Sequence, residues 1–493
     1  MEVNFLPDPL LLMIFERLGE RDLVSCSEVC TKWNLICQDQ FLWRDLYKKQ
    51  FNGNTIKTQS KGGAMKKEQD FVTWKEEYIR SRDQYPCYIT QTLKGHEDHI
   101  NYVEFSHDGF EVSSCSSDNH LIRWVKDTKD KFQVRDDVDM FSNYNWGEIY
   151  EFHYNPSNTK ILIAGSNGIY EKAEIIIFST GKSLEYLSKI SFESFLIEGC
   201  WLYDDHFIIG GDNRSPDDEL DTHHDLSLYL CKCIRSDGIG SGDIIRSKKL
   251  LKWRGSLYGF GLNGNGVQTY SKKTLSKDTS YMSDNLMCGE TLIVFAYGTG
   301  FHQFQNIGFH QITMDRFESD SYSTEPDTML EMNAEIIGMA ISQKDELLYV
   351  HVHGNLDTTK YKSNLPEKKT HAKKENEYYV IRIINLQTFD EIGILDYYQD
   401  LPDPQRSELS LFMSRPNYLG ISENFIAGSS EDSKVYIWDR NYGSLLTKLE
   451  PSKNLGSIES VAFNPKNEKM CIAAEDNDLL VWLSRKCKRT FRI

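Results

Sequence analysis

The sequence lacks long apolar runs and is short of basic residues. No segment approaches the ~18 consecutive apolar residues that are needed to span a membrane. The first residues, Met-Glu-Val-Asn-Phe, carry an acid where a secretory signal carries basic residues, and no apolar stretch of about 7–15 residues follows them. The 56 Lys and Arg are outnumbered by 73 Asp and Glu, and the net charge of −17 disfavours binding to a phosphate backbone. We therefore expect a soluble intracellular protein with neither membrane nor nucleic-acid partners.

Cysteine pairs at metal-binding spacing are also missing. The chain has 11 cysteines, an odd number, and its closest pairs are Cys26 with Cys30 and Cys231 with Cys233. Neither pair belongs to the group of Cys and His that a structural zinc site requires. Because disulfides are rare in reducing compartments, this usage favours free thiols in the cytoplasm or nucleus. We expect no metal site and no cofactor.

The chain has 493 residues, which exceed the length of one ordinary domain. The spacing of its apolar residues changes along the sequence. Residues 1–50 have apolar side chains at helical spacing, and residues 51–86 are richer in Lys, Gln and Gly. Residues 87–493 alternate with the period of β-strands. These ranges predict a helical module, a helical linker and a large all-β domain.

The N-terminal module is predicted to hold three short helices. Asp8-Pro9 marks the start of the first, because Asp accepts free N–H groups and Pro is tolerated at the first helical position. Gly19 is expected to end this helix in the left-handed conformation, and Asp22 is expected to cap the second. A third apolar cluster includes Leu42-Trp43, which we expect to complete the core of the module.

In the linker, Phe71, Trp74, Tyr78 and Ile79 lie at the i, i+3, i+7 and i+8 positions of one amphipathic helix. We expect this helix to pack between the two domains and to set the angle between them. The junction should resist proteases beyond about residue 70, because ordered backbone is cleaved slowly.

The all-β domain opens with a repeat unit. Gly95-His96 begins it, an Asp108-Gly109 turn separates two of its strands, and Trp124 ends it. The pattern returns near the C-terminus, at residues 425–439 and 458–482, and is degenerate in between. At ~40–45 residues per unit, the stretch from 94 to 493 would fit about nine units, more than the usual four to eight. Several units must therefore carry long loops, and we expect seven units, with eight as the alternative.

Taken in order, these patterns resemble a known family. Segments around Leu6-Pro7-Asp8-Pro9-Leu10, Ile14, Val29-Cys30 and Leu42-Trp43 together resemble an F-box, and the β repeats resemble WD-repeat blades. The chain is similar to the F-box plus WD-repeat family of ubiquitin-ligase substrate receptors. This resemblance implies a multidomain fold, in which a small all-α F-box (1–50) and a linker (51–86) precede an all-β WD-repeat propeller (87–493). The propeller is expected to close by pairing the strand near Tyr88 to Leu93 with the last blade.

The resemblance also implies a non-catalytic role in an SCF-type cullin-RING ligase. The F-box would bind the Skp adaptor, which holds a cullin scaffold, and one rim of the propeller would bind protein substrates. In this family the substrates include proteins of centriole assembly and growth signalling, and the location is cytoplasmic, with the nucleus and centrosome as alternatives. Substrate-binding residues stay unassigned. The residues of this sequence that match the adaptor-binding positions of an F-box are Leu6, Pro7, Leu10, Ile14, Val29, Cys30 and Trp33.

A buried hydrogen-bond network is implied for the WD-repeat blades. In the first blade it is expected to comprise His96, Ser116, Asp118 and Trp124. His96 is therefore interpreted as structural and not as catalytic. The corresponding residues of the last two blades are Asp432, Trp438, Asp476 and Trp482.

Three other motifs have ordinary interpretations. Gly259–Gly264 matches the glycine pattern of dinucleotide sites, but no helical stripe follows it, so we interpret it as a glycine-rich loop. Residues 217–225 are rich in acids and histidine without fixed ligand spacing, which favours a solvated loop over a metal site. The lysine-rich residues 362–374 are interpreted as an exposed insertion.

Three rival functions are kept open. A propeller scaffold would use its F-box-like helices for internal packing alone. A receptor of a cullin-4-type ligase would bind the damage-binding adaptor through a Trp-Asp-x-Arg ending, but in Trp438-Asp439-Arg440-Asn441 the Arg stands one position early. A propeller enzyme ranks last, because no Ser-His-acid order or convergent catalytic set is visible.

Overall fold

The computed structural model describes most of the chain, in separate stretches. These are residues 6–51, 73–128, 130–167, 172–192, 197–213, 225–234, 244–254, 256–257, 267–271, 291–298, 304–312, 322–342, 346–355, 377–396, 419–422, 424–430, 434–440, 443–451 and 458–485. Several predictions fall outside these residues. They are the network role of Asp432, the place of Phe71 on the linker helix, the glycine-rich loop at 259–264, the acidic segment at 217–224 and the lysine-rich segment at 362–374.

Four short helices form the N-terminal module: α1 (Asp8–Phe15), α2 (Glu20–Ser27), α3 (Thr31–Cys37) and α4 (Gln40–Phe51). Their shared core consists of Phe15, Leu23, Cys37 and Leu42, all fully buried. From the helical spacing of Leu23, Cys26, Val29, Cys30 and Trp33, the sequence predicts one second helix that holds all five residues. The structure divides this stretch at Glu28–Cys30, so Trp33 lies on a separate helix. Leu42 completes the core of the module as expected, whereas Trp43 packs elsewhere.

Two helix-boundary predictions in this module are wrong. Gly19 does not end α1, because the C-cap of α1 is Glu16, which has a right-handed helical conformation. With φ −78° and ψ 170°, Gly19 instead has extended backbone and is the N-cap of α2. Asp22 therefore lies inside the first turn of α2, where its negative charge favours the positive end of the helix dipole.

A fifth helix, α5 (Trp74–Asp83), precedes the all-β domain. It begins with a capping box, in which the Thr73 hydroxyl accepts the Glu76 N–H at 3.2 Å and the Glu76 carboxylate accepts the Thr73 N–H at 2.9 Å. Two free N–H groups are satisfied in this way, which fixes the point where the chain enters α5.

The all-β domain is a seven-bladed propeller, as predicted. Strand β1 (Pro86–Lys94) comes first in the chain. Blade 1 holds β2 (Ile100–Phe105), β3 (Glu111–Ser116), β4 (His120–Lys126) and β5 (Phe132–Asp139), and the short helix α6 (Met140–Tyr144) leads to blade 2. Blade 2 holds β6 (Trp146–Tyr154), β7 (Lys160–Asn167), β8 (Lys172–Ser179) and β9 (Glu185–Phe192), and blade 3 holds β10 (Ile197–Trp201), β11 (His206–Asn213), β12 (Asp225–Ile234) and β13 (Ile244–Arg254).

The remaining blades follow the same order with one variation. In blade 4, two short segments, β14 (Ser256–Leu257) and β15 (Val267–Ser271), both pair with β16 (Thr291–Gly298), followed by β17 (Phe304–Ile312) and β18 (Thr328–Glu331). Blade 5 holds β19 (Glu335–Ser342), β20 (Leu347–Asn355), β21 (Glu377–Asn385) and β22 (Glu391–Asp396), and blade 6 holds β23 (Leu419–Ile421), β24 (Phe425–Ser430), β25 (Lys434–Asp439) and β26 (Leu445–Leu449).

Blade 7 closes the ring with strands from both ends of the domain. It consists of β27 (Ile458–Asn464), β28 (Asn467–Glu475) and β29 (Asp478–Ser484), and β1 adds to it as the outer strand. The antiparallel register places Leu93 opposite Leu479 and Lys94 opposite Asp478. The predicted closure is confirmed, and the pairing covers the outer edge of β29.

The helices sit on one side of the propeller, at blades 6 and 7. Trp43, Tyr47 and Phe51 of α4 and Tyr78 of α5 belong to one buried cluster with residues of both blades, which we call the junction cluster. The partners on blade 6 include Phe425, where β24 begins, and Leu446, near the start of β26. These turns lie on the same side of the sheet, which we call the module-facing side of the propeller.

Candidate functional site

The outer surface of the N-terminal module is apolar. On α1, Leu10 is 46% exposed, Met13 64% and Ile14 45%, and Val29, in the turn before α3, is 57% exposed. Val24 on α2 and Leu35 on α3 are also exposed. We call these six residues the apolar surface of α1–α3. Such a concentration of exposed apolar side chains on a small unit marks an interaction site more often than chance exposure.

Helical spacing separates this surface from the core. Leu11 and Phe15 are four residues apart and face inward, where both are buried. Leu10 and Ile14 have the same spacing one position earlier, so they share a different face of α1. The module is too small to enclose both faces.

The predicted residues at the start of the chain lie beside those that precede α3. Lys32 Nζ donates to the Leu6 carbonyl at 2.7 Å and forms an ion pair with Asp8 at 3.2 Å. Pro7 is exposed and Leu6 is half-buried, as is Cys30. The structure thus brings the Leu6–Leu10 segment and the Val29–Cys30 segment, 19 residues apart in sequence, to one end of the module.

Trp33 has a different setting from the other predicted adaptor-binding residues. It packs edge-on against Phe15 with ring centroids 5.2 Å apart and lies at the margin of the core. Within the described part of the chain, its indole nitrogen has no hydrogen-bond partner. Met13 and Leu35 were missed by the sequence reasoning, although Met13 stands three residues after Leu10 and shares its face.

The opposite side of the module is covered by the propeller. Trp43 packs edge-on against Tyr78 of α5 at 5.5 Å, and the Trp43 indole donates to the Cys37 carbonyl at 2.7 Å. Tyr47 reaches the propeller directly, since its hydroxyl and the Ser444 hydroxyl are 3.0 Å apart. Aromatic rings of this size exclude water from the contact. The module therefore has one buried side, against blades 6 and 7, and one free side, the apolar surface of α1–α3.

A buried ion pair anchors α5 to blade 6. The Arg80 guanidinium contacts the carboxylates of Glu77 and Asp439, and its carbon lies 5.8 Å from the centre of the Phe425 ring. Burial alone would lower the pKa of Arg80, but Asp439 and Glu77 outweigh it and raise that pKa. Ser81 also donates to Asp439 at 3.4 Å. The guanidinium is thus held between two carboxylates, which fixes the helix relative to the blade.

Blade 1 contains a continuous hydrogen-bond network. His96 Nδ1 lies 2.9 Å from Asp118 Oδ2, and His96 Nε2 lies 2.8 Å from Ser114 Oγ, which accepts the Trp124 indole N–H at 2.9 Å. The serine between His96 and Trp124 is thus Ser114 and not Ser116. Ser116 bonds nearby, donating to the Asp98 carbonyl at 2.9 Å. The two serines lie on the same face of β3, and it is Ser114 that accepts the Trp124 indole N–H.

The electrostatics of this network suit a structural role. Burial would raise the pKa of the Asp118 carboxyl, but the bond to His96 and the N–H groups of Glu97 and His120 lower it to about 2. The carboxylate is therefore fully ionised at neutral pH and holds the turn between β3 and β4. Gly95 is needed beside it, because a Cβ at that position would lie 2.8 Å from the Trp124 ring.

The corresponding residues of the last two blades are arranged differently. Trp438 is fully buried and stacks on Tyr436 at 5.9 Å. Asp476 is partly exposed and pairs with His99 of the neighbouring blade at 2.8 Å. Trp482 is buried in the junction cluster, and within the described residues its indole nitrogen has no hydrogen-bond partner. The complete chain from His to Ser to Trp is found in blade 1.

Arg440, which follows the Trp-Asp pair of blade 6, is directed into the propeller. Its Nε donates to the Tyr349 hydroxyl at 3.0 Å and its Nη1 to the Ser422 carbonyl at 2.8 Å, and it also bonds Ser342. Burial lowers the pKa of Arg440 to about 10, so it remains charged at neutral pH. Arg440 thereby connects blades 5 and 6.

Among the residues that the structure describes, no group of three or more His, Cys, Asp or Glu is placed to hold a metal ion. None of the helices in these stretches is long and apolar enough to cross a membrane.

Comparison with known proteins finds similarity in both parts of the chain. A family model for F-box-like domains matches residues 3–49, and a model for the WD domain, G-beta repeat, matches residues 87–124. F-box/WD repeat-containing protein 5 of Rattus norvegicus is 23% identical over 99% of this chain and 95% of that protein. The human protein of the same name is 22% identical over the same shares. F-box/WD repeat-containing protein 7 of Drosophila melanogaster is 28% identical over 25% of this chain and 10% of its own length. The predicted resemblance to F-box and WD-repeat proteins is confirmed.

Proposed function

We propose that this chain is the substrate-recognition subunit of an SCF-type ubiquitin ligase. One observation carries the proposal: the apolar surface of α1–α3 is free, while the other side of the module is covered by the propeller. This surface lies inside the segment that matches F-box-like domains, and the relatives that cover the whole chain carry F-box and WD-repeat names. We infer that a Skp-type adaptor, joined to a cullin scaffold, covers it.

The chemistry of the surface suits a stable partner. Burying apolar area contributes roughly 25 cal/mol per Å², so several half-exposed Leu, Ile, Met and Val side chains can supply a large part of a binding free energy. Pro7 and Val29 stand at one end of it and Leu10, Met13 and Ile14 along α1. A partner with an apolar groove would remove these side chains from water together.

The role of the receptor in this proposal is positioning, without chemistry of its own. α4 and α5 are anchored on blades 6 and 7 by the junction cluster and by the Arg80–Asp439 pair. A substrate on the propeller would then be held at a fixed distance from an activated ubiquitin brought by other subunits. Raising the local concentration of a reactant in this way accelerates transfer without a catalytic residue on the receptor.

The alternatives are less well supported. Recruitment to a cullin-4-type ligase through the damage-binding adaptor would use an arginine after the Trp-Asp pair. In this chain the arginine follows Asp439 directly, one position earlier than that ending requires, so the motif does not support that use. In a scaffold whose helices serve internal packing alone, the apolar surface of α1–α3 would stay exposed to water with no partner to cover it.

Co-elution with purified Skp-type adaptor and cullin scaffold on gel filtration tests the proposal. Wild type should elute as one complex, and Leu10→Ser combined with Ile14→Ser should elute alone. The matched control, Phe110→Ser with Val134→Ser, changes two exposed apolar residues of the propeller and should co-elute like wild type. Failure of wild type to join the complex refutes the proposal and leaves the scaffold interpretation.

Point variants are preferable here to deletion of residues 1–50. The deletion would also remove Trp43 and Tyr47, which cover Tyr78 and Phe425 in the junction cluster. Loss of binding after that deletion could therefore follow from unfolding of the propeller rim.

A further inference from the structure

A cavity of about 520 Å³ opens on the module-facing side of the propeller. Gln84, directly after α5, forms one wall, and the turns of blades 5, 6 and 7 form the others. Its volume is within the range of about 300–1,000 Å³ that is usual for small-molecule sites. The cavity is separate from the apolar surface of α1–α3 and takes no part in the proposed adaptor contact.

Three cationic side chains line this cavity: Arg440, Lys466 and Lys469. Of the acids in the described stretches, Glu468 alone lines it. Both of its carboxylate oxygens face Asn424, whose amide donates at 2.7 Å and whose backbone N–H donates at 3.0 Å. The lining is therefore net positive in a chain whose overall charge is −17, and a net positive lining attracts anions.

The Arg440 side chain and the backbone at Lys466 are held in place before any ligand arrives. Arg440 is fixed by Tyr349 and Ser422, and burial lowers its pKa only to about 10, so it keeps its charge at neutral pH. Lys466 belongs to a tight turn in which Asn464 Oδ1 accepts the N–H of Lys466 at 2.9 Å and that of Asn467 at 3.0 Å. A preorganised turn reduces the entropy that is lost on binding.

From this cavity and its charges we propose that the chain binds a small phosphate ester with two or more phosphoryl groups at Arg440, Lys466 and Lys469. Arginine and lysine together are the usual ligands of phosphoryl oxygens, and the hydroxyls of Ser342 and Ser422 on the same wall add hydrogen-bonding groups. Since the ligand would contact Gln84, directly after α5, and the turns of three blades at once, its binding stabilises the junction between the helical module and the propeller.

Calorimetric titration of the full-length chain with pyrophosphate and with fructose 1,6-bisphosphate tests this site. At least one of the two should bind saturably with a stoichiometry of one and raise the thermal midpoint of unfolding. Lys466→Glu with Lys469→Glu should weaken binding about tenfold or more, the cost of losing one or two charged hydrogen bonds. Lys466→Arg with Lys469→Arg keeps the charge and should bind within about twofold of wild type.

A matched charge reversal separates this site from general electrostatics. Lys131→Glu with Lys182→Glu changes the net charge equally at two exposed turns of blades 1 and 2, and should leave the affinity unchanged. The proposal is overturned if neither phosphate compound binds saturably, or if both charge-reversed variants lose affinity alike. Citrate binding as tightly as the phosphate compounds would overturn the assignment of the ligand class.

Discussion

The Arg80 guanidinium of α5 forms a buried ion pair with the carboxylate of Asp439, at the end of β25 in blade 6. Asp439 belongs to the Trp-Asp ending of blade 6, yet its carboxylate pairs with a cation that lies outside the propeller, on α5. The pair joins α5 to blade 6 and, together with the junction cluster, holds the helical module against the propeller.

Removing one partner of this pair should be costly. Arg80→Met leaves the Asp439 carboxylate buried and unpaired, and we expect the free energy of unfolding to fall by about 3–5 kcal/mol. Urea denaturation followed by tryptophan fluorescence measures the loss. Arg135→Met, which removes a more exposed arginine paired with Glu111, is the control and should cost about 0–1 kcal/mol. Equal and small losses in both variants would show that the Arg80 pair does not anchor the module.

The network of blade 1 gives a second prediction. Ser114→Ala removes the oxygen between His96 and the Trp124 indole and leaves both buried groups without that partner, so we expect a loss of about 1–3 kcal/mol. Ser183→Ala, in an exposed turn of blade 2, should change stability by less than about 0.5 kcal/mol. If Ser114→Ala is as mild as its control, the network does not stabilise the blade.

Ser114 illustrates how far the sequence could define this network. The resemblance predicted Ser116 as the serine of this network, which is wrong, since Ser114 and Ser116 point to the same face of β3 and Ser114 makes the bonds. The register of β3 with β4, which places Ser114 opposite Ile122, and the path of the chain around His96 decide between them. Such a choice depends on tertiary contacts and is not encoded in local spacing.

Helix ends and outward-facing residues were ambiguous for similar reasons. Glycine is favoured both after a helix and before one, so Gly19 could not be assigned to the end of α1 or the start of α2 from spacing alone. Trp43 was placed in the core of the module because it follows Leu42, but the two side chains point in different directions around α4. The seven blades and their closure were predictable, since strand alternation and the repeats at both ends of the domain survive in the sequence.

A histidine between two glutamates predicts a dependence of stability on pH. His153 Nδ1 lies 2.9 Å from Glu104 and its Nε2 lies 3.4 Å from Glu151. Burial would lower the pKa of His153, but the two carboxylates raise it to about 10. A folded-state pKa above the unfolded value of about 6.5 stabilises the protein fully below pH 6.5, and this contribution is lost as the pH rises toward 10.

His153→Gln isolates this contribution. At pH 6 the free energy of unfolding of the variant should be lower than that of wild type. By pH 9.5 this difference in the free energy of unfolding should be smaller by at least about 1.4 kcal/mol, which is the equivalent of one pKa unit. Urea denaturation at a series of pH values measures the difference. His107→Gln, at an exposed turn, should give a difference from wild type that is constant over the same range. A constant difference for His153→Gln as well would contradict the charged state assigned to His153.

The most direct test of the account is the affinity of a purified Skp-type adaptor for the intact chain, measured by isothermal titration calorimetry. We expect wild type to bind with a stoichiometry of one, and Leu10→Ala with Ile14→Ala to weaken binding about tenfold or more, because truncating buried interface side chains commonly costs more than about 1 kcal/mol each. Phe110→Ala on the propeller should bind as wild type does. Absence of binding by wild type, or equal affinity for all three proteins, would contradict the assignment of the apolar surface of α1–α3 as the adaptor-docking site.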